Sequence, residues 1–199
     1  MVARSGSDVW RIGFNAGDAF FWRDKTRYIP FTEDYSTWPD FFANVLNEKS
    51  ITDVVLYGDT REIHAKAVDI ARARGLTIHI FEEGYVRPFW VTYERNGSNG
   101  NSKLMNISVA DMQKALAGSD PEAPLPPAHW GDMREHIFYG ALYHWFVMFA
   151  NRRYRNFRPH RDLNVRQEFR LHIRRLLGMP LHAIERRIST WRVRHGGFP

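Results

Sequence analysis

The sequence predicts an α/β chain with a parallel sheet, followed by a basic helical segment. Three observations carry this reading. Short β-branched apolar runs alternate with helical patterns, in the order strand, helix, strand, helix, strand. Each run ends in a polar or acidic loop. The last quarter changes to arginine and aromatic residues. The alternation is that of a Rossmann-like sheet with right-handed crossovers.

Trp10 to Asn15 reads as a short strand running into a turn at Ala16-Gly17-Asp18. Ser36 to Leu46 reads as a helix, with Ser36 or Thr37 as cap and Pro39 in its first turn. Ile51 to Tyr57 is a strand that stops at Gly58-Asp59. Thr60 to Arg74 is a helix capped by Thr60, striped by Ile63, Ala67, Ile70 and Ala71, and ended by Gly75. Leu76 to Phe81 is the next strand, followed by Glu82-Glu83-Gly84. Parallel strands would set the loops at Asn15 to Asp18, Gly58 to Arg61 and Glu82 to Gly84 along one edge, where such sheets bind ligands. Phe89 to Arg95 is a further strand, and Asn96 to Ser102 a Gly/Asn/Ser-rich loop. Four prolines between Ser119 and Pro127 make a linker. Trp130 to Asn151 is a long aromatic-rich helix. Val165 to Leu177 and Leu181 to Val193 are two helices broken at Gly178-Met179-Pro180. The expected division is 1–118, the Rossmann-like domain with the acid–acid–glycine motif, and 119–199, linker and basic helical region.

The chain has 199 residues, 44% of them hydrophobic and 15% aromatic, enough for a real core. It contains no cysteine, which excludes disulfides, thiolate metal sites and cysteine nucleophiles. Met1 to Asp8 lacks the apolar stretch of a signal peptide, and no apolar run approaches the roughly 20 residues of a membrane span. Charge is uneven. From Asn151 onward there are 13 arginines and no lysine against Asp162, Glu168 and Glu185. That segment carries +10, leaving −4 on the rest of a chain whose net charge is +6. Such asymmetry points to a polyanionic partner, a nucleic acid or an anionic membrane surface.

Glu82 and Glu83 are the first candidates for chemistry. Adjacent carboxylates after a strand point in different directions, so one can face a cleft while the other binds amides or an arginine. A partly desolvated carboxylate can serve as base or nucleophile. The plainer reading is a solvated acidic turn. Arg61 and Arg87 can clamp a carboxylate or phosphate bidentately. Arg87 can equally pair with Glu82 or Glu83. Asn15, Gly17, Asp18, Gly58 and Asp59 can line a cleft, although turn chemistry alone explains these residue types. No His, Asp or Glu cluster has metal spacing, and no metal or cofactor is expected. The Gly97 to Gly100 stretch lacks the Lys-Ser/Thr of a phosphate loop, and Ser98, Ser102 and Ser108 lack an elbow motif.

Phe81-Glu82-Glu83-Gly84-Tyr85-Val86-Arg87-Pro88, followed by Asn96-Gly97-Ser98-Asn99-Gly100-Asn101-Ser102, resembles the bacterial capsule polysaccharide biosynthesis/export proteins of the KpsS/KpsC type. Phe14 to Asp18 and Gly58 to Arg61 resemble the same family's loops. The resemblance covers roughly Ile12 to Ser102. It implies the N-terminal half of a GT-B-like glycosyltransferase that moves Kdo from CMP-Kdo to a phosphatidylglycerol-type lipid-linked acceptor. It implies Glu82 as the catalytic carboxylate, by similarity to the acid–acid–glycine motif of bacterial sialyltransferases, with Glu83 in support. It further implies substrate contacts from Gly84, Tyr85, Arg87, Asn99, Asn101 and Ser102, beside the two upstream loops. The related enzymes carry a His-Pro pair in a second half. None occurs here, so the expectation is an N-terminal part or a shortened protein, holding the acceptor side and the acid but lacking most of the donor site and not expected to be active by itself.

The arginine-rich end has three readings. It can attract anionic lipid at about 1 kcal/mol per basic residue. It can bind nucleic-acid phosphates. It can be a solvated face whose arginine stems cover apolar area. The lipid-linked acceptor favours the membrane over nucleic acid. The expected place is therefore the cytoplasmic face of the inner membrane, peripherally bound, alongside capsule assembly and export proteins. The rival functions are a non-catalytic export component that binds lipid-linked glycan, and a transferase using a CMP-sialic-acid-type donor.

Overall fold

The computed structural model describes residues 6–84, 91–118, 133–159 and 165–195. They form a mixed α/β chain with parallel strands, as the alternating pattern predicts. The chain divides into two compact units, Met1–Thr32 with Phe138–Pro199, and Glu33–Ile137.

In the Glu33–Ile137 unit, helix α2 spans Trp38–Glu48. Strand β3 (Asp53–Tyr57) leads through helix α3 (Glu62–Ala73) to strand β4 (Thr77–Glu83). β3 and β4 pair in parallel, with Val54 opposite Ile78 and Tyr57 opposite Phe81. This is the expected βαβ unit. Trp38, Phe42, Val45 and Leu46 recur at helical spacing and are buried. Ala67, Val68 and Ala71 of α3 are buried too, as are Ile78 and Ile80 of β4. The Trp38 indole N–H donates to the Ile63 carbonyl at 2.9 Å, tying α2 to α3. Gly75 ends α3 with φ +68°, the left-handed conformation that glycine adopts freely. Arg61, rather than Thr60, occupies the N-cap and makes no side-chain capping bond.

The strand read at Phe89 to Arg95, to which the sequence assigned no direction, is present over Val91–Arg95. β5 (Val91–Arg95) runs antiparallel beside β4, Glu82 opposite Thr92, so the sheet order is β3-β4-β5. Seven residues separate β4 from β5. A parallel crossover needs a dozen or more, so so short a link permits only antiparallel pairing. Side chains alternate across each strand. Val54, Ile78 and Ile80 face the helix-covered side, while Val55, Tyr57 and Tyr93 stay exposed on the other. Beyond β5, helix α4 (Val109–Leu116) is capped by Ser108, whose hydroxyl accepts the Asp111 N–H at 3.2 Å.

In the other unit, β1 (Arg11–Gly13) pairs in parallel with β2 (Tyr28–Pro30), forming its own two-stranded sheet. β1 was expected to join β3 and β4. Its partner is instead a three-residue strand ending in proline, a segment too short for a periodicity signal. The expected turn at Ala16-Gly17-Asp18 is the first turn of helix α1 (Ala16–Phe21). Asn15 caps it, its Oδ1 accepting the Asp18 N–H at 2.9 Å. Helix α5 spans Met133–Phe149 and belongs to this unit from Phe138 onward. The two expected C-terminal helices are one, α6 (Val165–His195), with Pro180 inside it. Proline costs the helix one N–H bond, here where Leu176 and Pro180 are exposed and water can bind the orphaned carbonyl. The proline-rich stretch after Ser119 lies outside the described residues. Among the described residues no helix is long and apolar enough to cross a membrane.

Candidate active site

Glu82 and Glu83 lie at the end of β4 and point to opposite sides of the sheet. Glu83 shares the open side with His79 and Phe81 and is exposed. Glu82 follows Ile78 and Ile80 on the helix-covered side and is half-buried. That side also receives the loop after β3. Gly58, at φ +77°, donates its N–H to the Phe81 carbonyl at 2.8 Å, turning the chain sharply into Asp59. A Cβ on Gly58 would stand 3.2 Å from Glu82 Oε1, so the two loops are in contact.

The third contributor is the loop after β5. Asn96 and Asn99 both adopt left-handed backbone, at φ 72° and φ 50°. Gly97 between them allows the reversal, since a Cβ there would stand 2.3 Å from the Asn101 carbonyl oxygen. This turn buries Ser98 completely, at 0% exposure. Asp59, 3% exposed, accepts the Ser98 N–H at 3.0 Å and the Asn101 amide at 3.2 Å on Oδ2. The Ser98 hydroxyl lies 3.4 Å from Asp59 Oδ1 and 3.4 Å from Glu82 Oε1. A hydroxyl carries a single proton, so it serves one carboxylate at a time. Asp59 has two further donors. Ser98 is the only one of the described residues seen to donate to Glu82. Among the described residues Asp59 thus stands as an anchoring acid with three donors, and Glu82 as an acid that shares one of them. No such division was read from the sequence, which set Asp59 among the cleft residues.

The remaining expected residues differ in their surroundings. Gly84 is buried directly after Glu83. Arg61 is exposed at the start of α3. Ser102 is buried, donates to Glu94 Oε2 at 2.5 Å, and accepts the Leu104 N–H at 3.1 Å, so its hydroxyl serves the loop itself. Asn99 is exposed. Tyr85 and Arg87 lie outside the described residues. His64 of α3 holds the Gly58 carbonyl at 2.8 Å through Nδ1, steadying the same turn. Ser98 was not among the expected site residues. The clue lay in its place inside the Asn96 to Ser102 motif. Among the described residues no group of three or more His, Asp or Glu could hold a metal.

Asn15, Gly17 and Asp18 belong to the unit that holds β1, where they build a separate network. The Asn15 amide donates to the Tyr143 hydroxyl at 2.7 Å. Tyr143 donates to Asp18 Oδ1 at 3.4 Å, and Arg11 lies 3.6 Å from the same oxygen. Asp18 Oδ2 accepts the Phe14 N–H at 2.9 Å. Burial, helped by the Asp18 charge, pushes the Tyr143 phenol up to about 12. Gly17 packs so tightly on this ring that a Cβ would meet it at 2.6 Å. In the same unit Tyr28 and Tyr154 join hydroxyls at 2.8 Å, and burial raises the Tyr28 pKa.

A βαβ unit with a paired acid at the carboxyl end of its second strand defines an α/β protein with a strand-end acidic site. The chain belongs to the capsule polysaccharide biosynthesis protein family, whose model matches residues 52–193 and so includes the whole acid cluster. It is 31% identical over 168 residues to the capsule polysaccharide modification protein LipB of Neisseria meningitidis serogroup A, and equally to that of serogroup B. The match covers 82% of this chain and 39% of LipB. It is 30% identical over 99 residues to the capsule polysaccharide export protein KpsS of Escherichia coli, covering 50% of this chain and 25% of KpsS. The chain therefore spans about two fifths of the length of the LipB proteins it matches. No solved structure matches it.

Proposed function

We propose that this chain carries the acid-bearing, acceptor-side half of a GT-B-like glycosyltransferase in capsule polysaccharide synthesis. The donor is CMP-Kdo and the acceptor is lipid-linked. The observation that carries the reading is the half-buried Glu82 carboxylate, which shares the Ser98 hydroxyl with an already anchored Asp59. In the proposed step Glu82 takes the proton from an acceptor hydroxyl as that oxygen attacks the anomeric carbon. The bond from that carbon to the CMP phosphate breaks, and CMP leaves with the electron pair. Asp59, Ser98 and Asn101 hold the loops around Glu82, and Arg61 offers a guanidinium to an anionic substrate group. The family membership and the likeness to LipB and KpsS support the pathway; the donor and acceptor rest on the motif resemblance.

The test is Glu82→Gln in the protein that contains this chain, assayed with CMP-Kdo and a phosphatidylglycerol-linked acceptor. Loss of transfer of about 100-fold or more supports a general base. Unchanged transfer with intact glycan binding would favour the non-catalytic export component. A trapped glycosyl–Glu82 adduct would make the carboxylate a nucleophile. CMP-sialic acid in the parallel assay tests the donor.

A further inference from the structure

Helix α6 presents an apolar stripe with an unusual period. Phe169, Ile173, Leu177, Pro180, Ile184, Ile188 and Trp191 follow one another at spacings of four, four and three residues, twice over. Phe169, Pro180 and Trp191 mark a repeat of 11 residues in three turns. That period of about 3.67 residues per turn is nearer to the 3.6 of a straight helix than is the 3.5 of a coiled-coil seam. The stripe therefore runs almost straight along the helix, which suits a flat surface; the same period also suits a right-handed coiled coil, and the charge decides between them. Its side chains stand in water: Leu177 is 72% exposed, Trp191 61% and Ile184 57%.

The charge names the surface. Between Val165 and His195 there are eight arginines and two glutamates. At 100° per residue, Arg174 and Arg192 border the stripe on one side, and Arg187 and Arg194 on the other. His182 and Ser189 fall on the far side together with Arg175 and Arg186, and Glu185 falls on the flank beside Arg174 and Arg192. Near its start, Arg166, Arg170 and Arg174 surround an open depression of about 450 Å³ that includes Phe169 and Ile173. Aliphatic side chains dominate the stripe, whereas nucleic-acid bases need aromatic faces to stack on. An apolar stripe bordered by arginines matches the boundary of an anionic bilayer, with the stripe among acyl chains and the guanidiniums at the phosphates.

We propose that α6 lies flat on an anionic lipid surface, with the 169–191 stripe facing the acyl chains. The contact is independent of the transfer chemistry: its failure would leave the role of Glu82 standing, and the reverse also holds. The test uses the full chain and vesicles of phosphatidylcholine with or without phosphatidylglycerol. Binding is expected only when phosphatidylglycerol is present. Arg174→Gln with Arg192→Gln should weaken it roughly 30-fold, and Ile184→Asp with Trp191→Asp should abolish it. These positions are exposed, so circular dichroism should match the parent chain. Because the chain has no cysteine, Ile184→Cys and His182→Cys each give one labelling site. A polarity-sensitive dye should shift to the blue at 184 and not at 182. Equal shifts at both positions would overturn the proposal. So would RNA binding at the same salt without vesicle binding.

Discussion

Asp59 holds the backbone N–H of Ser98 at 3.0 Å across 39 residues of sequence, and both residues are buried. This bond fastens the loop after β5 to the loop after β3. It makes the acid cluster a product of three chain segments that are separate in sequence.

Removing that acceptor strands a buried donor. Asp59→Ala leaves the buried Ser98 N–H without its partner, while the exposed Asn101 amide can turn to water. The expected loss of stability is about 1–3 kcal/mol. Chemical denaturation measures it. Ser98→Ala removes only the hydroxyl and should cost less, so the ratio of the two effects isolates the anchoring bond.

Gly58→Ala should separate activity from stability. Its φ of +77° costs a residue with a Cβ about 1–2 kcal/mol. The new methyl would stand 3.2 Å from Glu82 Oε1 and push that carboxylate aside. Turnover should fall by more than the change in denaturation midpoint explains. Equal losses in the two would mean that the position of Glu82 is immaterial.

Tyr143 sets an alkaline limit. Its phenol pKa, pushed from the usual 10 up to about 12, means that the folded chain keeps a proton which the unfolded chain has lost. The stability linked to this group is complete below about pH 10 and is lost as pH rises from 10 to about 12. Tyr143→Phe should flatten this part of the stability curve. It also removes the acceptor of the Asn15 amide, which should cost about 1 kcal/mol near neutrality. Denaturation at stepped pH, with phenolate absorbance followed in parallel, checks both.

Pro180→Ala should strengthen α6. An alanine restores the missing N–H and removes a penalty of about 3 kcal/mol from the helix interior. Amide exchange around positions 176–184 should slow, while β3 and β4 exchange as before.

What could be read in advance follows from burial. β3, α3 and β4 were legible because Ala67, Ala71, Ile78 and Ile80 pack on a buried face with helical or strand period. Gly58 and Gly75 marked their turns because both sit at positive φ. β2 was not legible, since Tyr-Ile-Pro has no pattern to read. α4 carries no buried residue, and its sign was the Ser108–Asp111 cap alone. Within the site, Glu82 stood out as an acid after an apolar run. Ser98 did not, because a serine among asparagines and glycines shows nothing of the reversal at Asn96 that buries it. The antiparallel turn of β5 follows from the seven-residue link, a length that could have been counted.

β5 is an edge strand, and the loop that carries Ser98 hangs from its far end. Edges fray at a lower free energy than a whole domain unfolds. Warming should therefore detach this strand, and with it the clasp on Asp59, while α2, α3, β3 and β4 remain folded. Heat inactivation should then precede the calorimetric transition, and an acidic-site ligand that closes the gap between them would do so by pinning the sheet's margin.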